Sequence, residues 1–151
     1  MKWLRILLFP LTPVYYAIAC IRNVLYDKGL LQSVRYDIPT IGIGNLSVGG
    51  TGKTPMVECL IQLLSEQYRI AVLSRGYGRT SKGFILANID SKVSQIGDEP
   101  LQIKKKFPNI IIAVDANRRR GMTQLRKLPS PPNLIILDDV LQHRAVSPAV
   151  L

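Results

Sequence analysis

Short apolar runs alternate along the chain with longer stretches that mix apolar and charged positions. The apolar runs are Thr40–Gly44, Arg69–Ser74, Ile110–Val114 and Leu134–Leu137. Runs of this length without polar alternation predict strands that are buried on both faces of a sheet. The stretches between them have helical spacing and predict helices over Met56–Gln67, Gly97–Phe107 and Asn117–Leu128. Strands that alternate with helices indicate an α/β fold, with a parallel sheet covered by helices on both faces.

Two connecting segments have weaker patterns. Gly83–Val93 is compatible with a hairpin or with an irregular excursion. Arg75–Arg79 is a loop punctuated by two glycines. Asp98 and Glu99 stand where the second helix is expected to begin, and the helix dipole favours acidic residues there.

A glycine-rich loop joins the first strand to the first helix, with the sequence Ser47-Val48-Gly49-Gly50-Thr51-Gly52-Lys53-Thr54. Strand, glycine-rich loop and helix, in this order, are the context of a phosphate-binding loop. Glycines let backbone N–H groups turn toward one anion, and the helix N-terminus adds a positive dipole end. In such a loop Lys53 contacts the β- and γ-phosphates, and Thr54 is a ligand for Mg²⁺. Ser47 departs from the usual pattern, which begins with glycine, and a chance match on a glycine-rich turn is the alternative.

The N-terminal segment, residues 1–28, differs from the rest of the chain. Ile6–Ile21 is 16 residues without a charge. As a helix it would reach only about 24 Å, and Pro10 and Pro13 would kink it. We therefore predict a membrane-associated helical segment that lies in one leaflet. A buried helix is the alternative. A cleaved signal peptide is disfavoured, because a triphosphate-binding loop is useful only in the cytoplasm.

The chain has 151 residues and a formal net charge of +10, which suits anionic partners such as nucleic acid, acidic lipid or phosphorylated substrates. No RNA-binding motif or zinc-ligand spacing is present in the sequence. Lys104–Lys106 and Arg118–Arg120 fall on predicted helices, where solvated helix faces and ligand contacts are equally good interpretations. Cys20 and Cys59 are far apart in sequence and fit a reducing compartment.

Several charged residues are candidates for chemistry. Asp138 follows an apolar strand, where a carboxylate can hold Mg²⁺ directly or through water. Asp139 either caps the next turn or belongs to the site. Asp98 and Glu99 either cap a helix or supply a general base and a metal ligand.

Two arginines and a histidine complete the candidates. Arg75 and Arg79 suit bidentate contacts with phosphate, although surface solvation explains them equally well. His143 is the only histidine, and it is a candidate because it follows Asp138-Asp139 closely.

With these residues in view, the chain resembles the tetraacyldisaccharide 4′-kinases, the lipid A 4′-kinases of Gram-negative bacteria. The resemblance rests on four motifs in order: Gly44–Pro55, Ser74–Arg79, Gly97–Pro100 and Asp138–Arg144. It implies a P-loop kinase that transfers the γ-phosphate of ATP to the 4′-hydroxyl of an acylated glucosamine disaccharide phosphate. It also implies a location at the cytoplasmic face of the bacterial inner membrane, with the lipid and the membrane surface as partners and no nucleic acid.

The same resemblance implies roles for individual residues. Ser47–Thr54 is expected to bind the nucleotide, and Lys53 and Asp98 are expected to be catalytic, with Asp98 as the base on the acceptor side. The expected Mg²⁺ ligands are Thr54, Glu99, Asp138 and Gln142. The expected contacts with substrate or phosphate are Arg75, Arg79, Asp139 and His143.

Family members are longer than this chain, so the resemblance implies an N-terminal part, with the kinase core at 29–151 incomplete. Two other functions stay open. One is a catalytically inactive ATP-binding remnant. The other is a partner-regulated P-loop ATPase of the partitioning type, whose loops Gly49–Thr54 resembles.

Overall fold

The computed structural model describes residues 17, 20–21, 24–26, 28, 30, 33–44, 52–140, 146 and 149–150. It divides into two compact units, Met1–Ser33 and Val34–Leu151. In the first unit the described residues 17, 20–21 and 24–26 are helical, and the apolar side chains of Ile21, Val24 and Leu30 are exposed. Within the described part of the chain, no helix is long and apolar enough to cross a membrane.

The second unit is built on one sheet. Its strands are β1 (Thr40–Ile43), β2 (Ile70–Ser74), β3 (Ile85–Leu86), β4 (Ile111–Val114) and β5 (Leu134–Asp138). They are arranged in the order β1-β5-β2-β4-β3. The pairs β1–β5, β5–β2 and β2–β4 are parallel, with Thr40 opposite Ile135, Ile70 opposite Leu134 and Ala71 opposite Ile111.

Helices connect the strands in this unit. They are α1 (Lys53–Leu64), α2 (Val93–Ile96), α3 (Asp98–Lys106) and α4 (Arg118–Arg126). Acidic residues begin α3 and lysines end it, which complements the helix dipole at both ends. The side chain of Asn117 caps α4 by accepting a hydrogen bond from the backbone N–H of Arg120 at 3.1 Å.

Alternate strand residues contribute to two hydrophobic cores, one on each face of the sheet. Ile70 and Val72 pack with residues of α1 and α3 on one face, such as Ile61 and Ile103. On the other face, Ala71 and Leu73 of the same strand pack with residues of α4, which include Met122 and Leu125. Burial on both faces explains why each of these strands is a continuous apolar run in the sequence.

The predicted α/β architecture is confirmed, and one feature of the sheet corrects the prediction of a parallel arrangement. The segment that had no clear assignment, Gly83–Val93, contains the short strand β3, which pairs antiparallel with β4 at the edge of the sheet. A parallel partner for β4 would require a long crossover connection, and a chain that simply doubles back pairs antiparallel. The three predicted helices, α1, α3 and α4, each end before the predicted residue, α1 begins at Lys53 rather than Met56, and α2 was not predicted.

Candidate active site

The carboxyl ends of the four parallel strands meet at one edge of the sheet. β5 ends at Asp138, β2 ends at Ser74, and Asp115 directly follows β4. Lys53 lies at the first position of α1, which follows β1. In open α/β sheets, ligands bind at this edge.

The Nζ atom of Lys53 lies 3.0 Å from Oδ1 of Asp139. Asp139 has a positive φ of 56°, so the chain turns sharply after β5. The hydrogen bond with Asp139 raises the pKa of Lys53, although partial burial opposes it. Lys53 is therefore a charged ammonium paired with Asp139 at the end of β5.

Asp138 is a buried carboxylate beside this pair. Its Oδ2 accepts a hydrogen bond from Oγ of Ser74 at 3.0 Å, which connects the ends of β5 and β2. Burial raises the pKa of Asp138, while the Ser74 hydroxyl, Arg118 and Lys53 oppose that rise. A buried carboxylate that is costly to ionise gains from a cation at this position.

Glu99 brings a second carboxylate to the same group. Desolvation raises its pKa, the charge of Asp138 raises it further, and Lys53 lowers it. Asp98 precedes Glu99 and is exposed, and it lines an open pocket along α3 with Leu101 and Gln102. Neither acid occupies the N-cap position of α3, which is Gly97.

The oxygen ligands present here fit Mg²⁺. Asp138 and Glu99 are carboxylates, and Thr54 adds a hydroxyl at the second position of α1. Among the residues that the structure describes, no group of three or more His, Cys, Asp or Glu side chains could hold a metal ion. Mg²⁺ commonly needs only one or two carboxylates when nucleotide phosphates supply other ligands.

Arg118 is a buried cation that connects two strand ends. Its Nη1 donates to the carbonyl oxygen of Asp115 at 2.9 Å, and its Nη2 donates to the carbonyl oxygen of Asp138. Only 2% of the residue is exposed, and its Nε is buried without a hydrogen-bond partner among the described residues. Burial lowers the pKa of Arg118 to about 10, which leaves it charged at neutral pH.

A pocket of about 480 Å³ lies at the ends of β2 and β4 and is lined by residues 75–79, 81–83, 116 and 120; we call it the basic pocket. Arg79 is fixed in its wall, because Nη2 donates to the carbonyl oxygen of Gly83 at 2.9 Å and Nη1 to that of Val114 at 3.4 Å. Burial lowers the pKa of Arg79. Arg75 is exposed at the same pocket.

Arg120 is held in the wall of the basic pocket by a buried carboxylate. Its Nε and Nη2 donate to Oδ2 and Oδ1 of Asp115, at 2.7 and 2.8 Å. Asp115 has no exposed surface. Burial alone would raise the pKa of Asp115, but the hydrogen bonds from Arg120 and from the backbone of Asn117 bring it below its usual value.

The predicted residues thus fall into groups. Lys53, Glu99, Asp138 and Asp139 lie together, whereas Arg75 and Arg79 lie at the basic pocket and Asp98 faces an open pocket on α3. The predictions for Ser47–Thr51, Gln142 and His143 concern residues outside the described part of the chain. The roles assigned to all these residues stay predictions.

Sequence reasoning missed several residues that the structure places at this edge: Ser74, Asp115, Arg118 and Arg120. A signal for Asp115 was present, because it follows an apolar strand just as Asp138 does. Arg118 lies three, four and seven positions before the buried residues Gly121, Met122 and Leu125, a spacing that places it on the buried face of α4. Two interpretations were open for the three arginines, and burial of Arg118 rules out a solvated helix face for that residue.

Comparison with known proteins gives a consistent result. The profile of the family described as "Tetraacyldisaccharide-1-P 4'-kinase" matches residues 4–150. A tetraacyldisaccharide 4′-kinase of Flavobacterium psychrophilum is 57% identical over 146 residues, which are 97% of this chain and 43% of that protein. The protein of the same name from Parabacteroides distasonis is 51% identical over 146 residues, 95% of this chain and 40% of that protein.

A solved structure has the same fold. The crystal structure of the "apo" form of LpxK from Aquifex aeolicus in complex with ATP superposes with a TM-score of 0.81 at 39% sequence identity. The match covers 96% of this chain and 47% of that chain. The present chain therefore spans less than half the length of the relatives that it matches.

Proposed function

The chain belongs to the tetraacyldisaccharide-1-P 4′-kinase family, and from this premise we propose that it forms the nucleotide-binding part of a lipid kinase. The reaction moves the γ-phosphate of ATP to the 4′-hydroxyl of an acylated glucosamine disaccharide 1-phosphate. The observation that best supports this is the group of Lys53, Glu99, Asp138 and Asp139 at the carboxyl edge of the sheet.

The arrangement suits phosphoryl transfer because that reaction depends mainly on positioning and on neutralising charge. The ammonium of Lys53 binds the β- and γ-phosphates, and Thr54, Glu99, Asp138 and Gln142 would hold Mg²⁺. When bound, Mg²⁺ neutralises negative charge on the transferring phosphoryl group. Ser74 and Arg118 keep Asp138 in place through its carboxylate and its carbonyl oxygen.

The acceptor hydroxyl needs a group that takes its proton. We assign this role to Asp98, which is exposed at the first turn of α3 beside Glu99. Ser47–Thr54 binds the nucleotide, and Asp139 and His143 contact the substrate or its phosphate.

The location of the substrate determines where the protein acts. We propose that it works at the cytoplasmic face of the inner membrane, with residues 1–28 in contact with one leaflet. The exposed apolar side chains of Ile21 and Val24 support this assignment, as does the net charge of +10. Basic residues near an anionic membrane gain about 1 kcal/mol each.

The first test is calorimetric titration of the chain with ATP in the presence of Mg²⁺. We expect saturable binding that Lys53→Ala weakens roughly tenfold to a hundredfold, while Lys127→Ala, at an exposed position after α4, binds as the unchanged chain does. The second test is transfer of radiolabelled γ-phosphate to a tetraacyldisaccharide 1-phosphate in detergent micelles. Binding without transfer would make the chain an ATP-binding remnant, and ATP hydrolysis that a protein partner stimulates would support a P-loop ATPase instead.

A further inference from the structure

The side of the basic pocket formed by Arg120 and Asp115 lies two strand spacings from the Lys53–Asp139 pair. Asp139 follows β5, Asp115 follows β4, and β2 lies between these two strands. Because neighbouring strands are spaced by roughly 4.8 Å, the ends of β5 and β4 are about 10 Å apart. This spacing favours two separate anions, one at Lys53 and one at Arg120.

The pocket has the charge of an oxyanion site. Four of its lining residues are cationic: Arg75, Arg79, Lys82 and Arg120. Arg79 is fixed by two backbone carbonyl oxygens, and Arg120 is fixed by Asp115. Fixed guanidinium groups lose little entropy on binding, so they suit phosphate, which accepts bidentate hydrogen bonds.

The hydrogen bonds between Arg120 and Asp115 use only one edge of the guanidinium group. Nε and the adjacent Nη2 face the buried carboxylate, while Nη1 has no hydrogen-bond partner among the described residues. Half of the Arg120 side chain, 49%, is exposed, whereas none of the Asp115 side chain is. The carboxylate of Asp115 thus fixes the guanidinium group from its buried side and leaves the N–H groups of Nη1 available to a ligand in the pocket.

We infer that the basic pocket is a second oxyanion site that takes the phosphate already present on the lipid substrate, and that Asp115 is the positioning residue that orients Arg120 toward it. The inference rests on the proposed function. In a disaccharide 1-phosphate the 4′-hydroxyl and the 1-phosphate are on different sugar rings. A substrate that places its hydroxyl near the end of β5 extends its phosphate toward another strand end, and the basic pocket lies there.

The experiment uses the whole chain and a soluble probe, N-acetylglucosamine 1-phosphate, with uncharged N-acetylglucosamine as the matched ligand. Binding is followed by NMR through the arginine Nε–Hε signals, in which Arg120 is distinguished by its hydrogen bond to Asp115. We expect the phosphorylated sugar to shift the Arg120 signal with saturation and the uncharged sugar to leave it unchanged. Equal shifts with both sugars, or none with either, would overturn the inference.

Variants assign the effect to residues. Arg75→Gln, at an exposed position, and Arg120→Gln should each weaken sugar-phosphate binding roughly tenfold, because each removes a charged hydrogen-bond donor. Lys127→Gln at the far end of α4 is the control and should bind normally. Arg75→Gln keeps the test valid if Arg120→Gln fails to fold.

A positioning role for Asp115 predicts a split between two ligands. Asp115→Asn should lower the affinity for the sugar phosphate severalfold and leave the affinity for Mg²⁺-ATP unchanged. A general structural defect would lower both affinities. Equal losses would overturn the assignment of Asp115.

Three further outcomes separate this inference from the proposed function. If Lys53→Ala binds ATP more weakly but binds the sugar phosphate as the unchanged chain does, the two sites are distinct, as proposed. If ATP displaces the sugar phosphate from the basic pocket of Lys53→Ala, the pocket belongs to the nucleotide and the inference fails. If the chain binds the sugar phosphate but no ATP, the kinase proposal fails and the phosphate site stands.

Discussion

Nζ of Lys53 lies 3.0 Å from Oδ1 of Asp139, so the ammonium proposed for the triphosphate is already paired with a carboxylate. The side chains are 25% and 42% exposed, and a pair this accessible stabilises the fold by only about 0–1 kcal/mol. The triphosphate therefore competes with a weak partner. The ion pair orients Lys53 toward the end of β5, but it is too weak to fix the side chain there.

This competition predicts opposite effects for the two partners. Lys53→Ala should weaken ATP binding roughly tenfold to a hundredfold, because a charge-assisted contact is lost. Asp139→Asn should strengthen binding of ATP without metal severalfold, since the competing carboxylate is neutralised. Calorimetric titrations in EDTA measure both. Weaker binding of metal-free ATP to Asp139→Asn would show that Asp139 assists the nucleotide rather than competing with it.

Asp138 should determine how strongly Mg²⁺ improves ATP binding. It is buried, with Oδ2 bonded to Ser74, and its pKa is raised mainly by burial. A divalent cation relieves the cost of a buried carboxylate, so Asp138→Asn should abolish most of the gain in affinity on adding Mg²⁺ and leave metal-free ATP binding unchanged. Asp90→Asn, in an exposed turn, is the matched control. The assignment fails if the variant retains the full effect of Mg²⁺.

Arg118 should be a determinant of stability as well as of site geometry. Its guanidinium satisfies the carbonyl oxygens of Asp115 and Asp138, and both lose a partner in Arg118→Met. An unsatisfied buried acceptor costs about 1–3 kcal/mol, so we expect a loss of roughly 2–4 kcal/mol in the free energy of unfolding. Urea denaturation measures it, with Lys127→Met as an exposed control. An unchanged midpoint would mean that water replaces the guanidinium at both carbonyl oxygens.

The carboxylate of Asp115 should make stability depend on pH in the acidic range. Its native pKa lies below the usual value of an aspartate, so the unfolded chain takes up this proton first as the pH falls. The stabilisation is complete above the unfolded value and is lost as the pH falls through the native pKa. Asp115→Asn should therefore cost roughly 1–3 kcal/mol at pH 7, and less at pH 3.

Urea denaturation from pH 7 to pH 3 follows this difference between the two chains. Asp90→Asn serves as the exposed control, for which we expect a much smaller change. A difference between Asp115→Asn and the unchanged chain that stays constant over the range would contradict a role for the ionised carboxylate.

The contrast between Asp138 and Asp115 shows what the sequence can predict. Both follow a short apolar strand, and the alternation of such strands with helices was enough to predict the sheet. The order β1-β5-β2-β4-β3 depends on which strands pair, and that is decided by packing between distant segments. Only this order places Asp138 beside Lys53 and Asp115 two strands away, so the separation of the two proposed anion sites could not be predicted from local patterns.

The close approach of Gly97 to the loop after β2 gives a final prediction. Gly97 has a φ of 92°, and a Cβ atom there would lie 2.8 Å from the carbonyl oxygen of Tyr77 and 3.3 Å from the backbone carbon of Gly76. The added methyl group in Gly97→Ala should therefore push the loop that carries Arg75 and Arg79 away from the start of α3, which carries Asp98 and Glu99. We expect a cost of roughly 2–4 kcal/mol, from backbone strain together with this clash.

Gly78→Ala is the matched control, because Gly78 also has a positive φ, 74°, but no atom within 4 Å of its would-be Cβ. It should cost only about 1–2 kcal/mol, the strain of a left-handed residue. Thermal unfolding of both variants gives the difference, which isolates the contact between the two segments. If Gly97→Ala is no less stable than Gly78→Ala, the loop and helix separate without cost. Their spacing would then not fix the geometry of the proposed site.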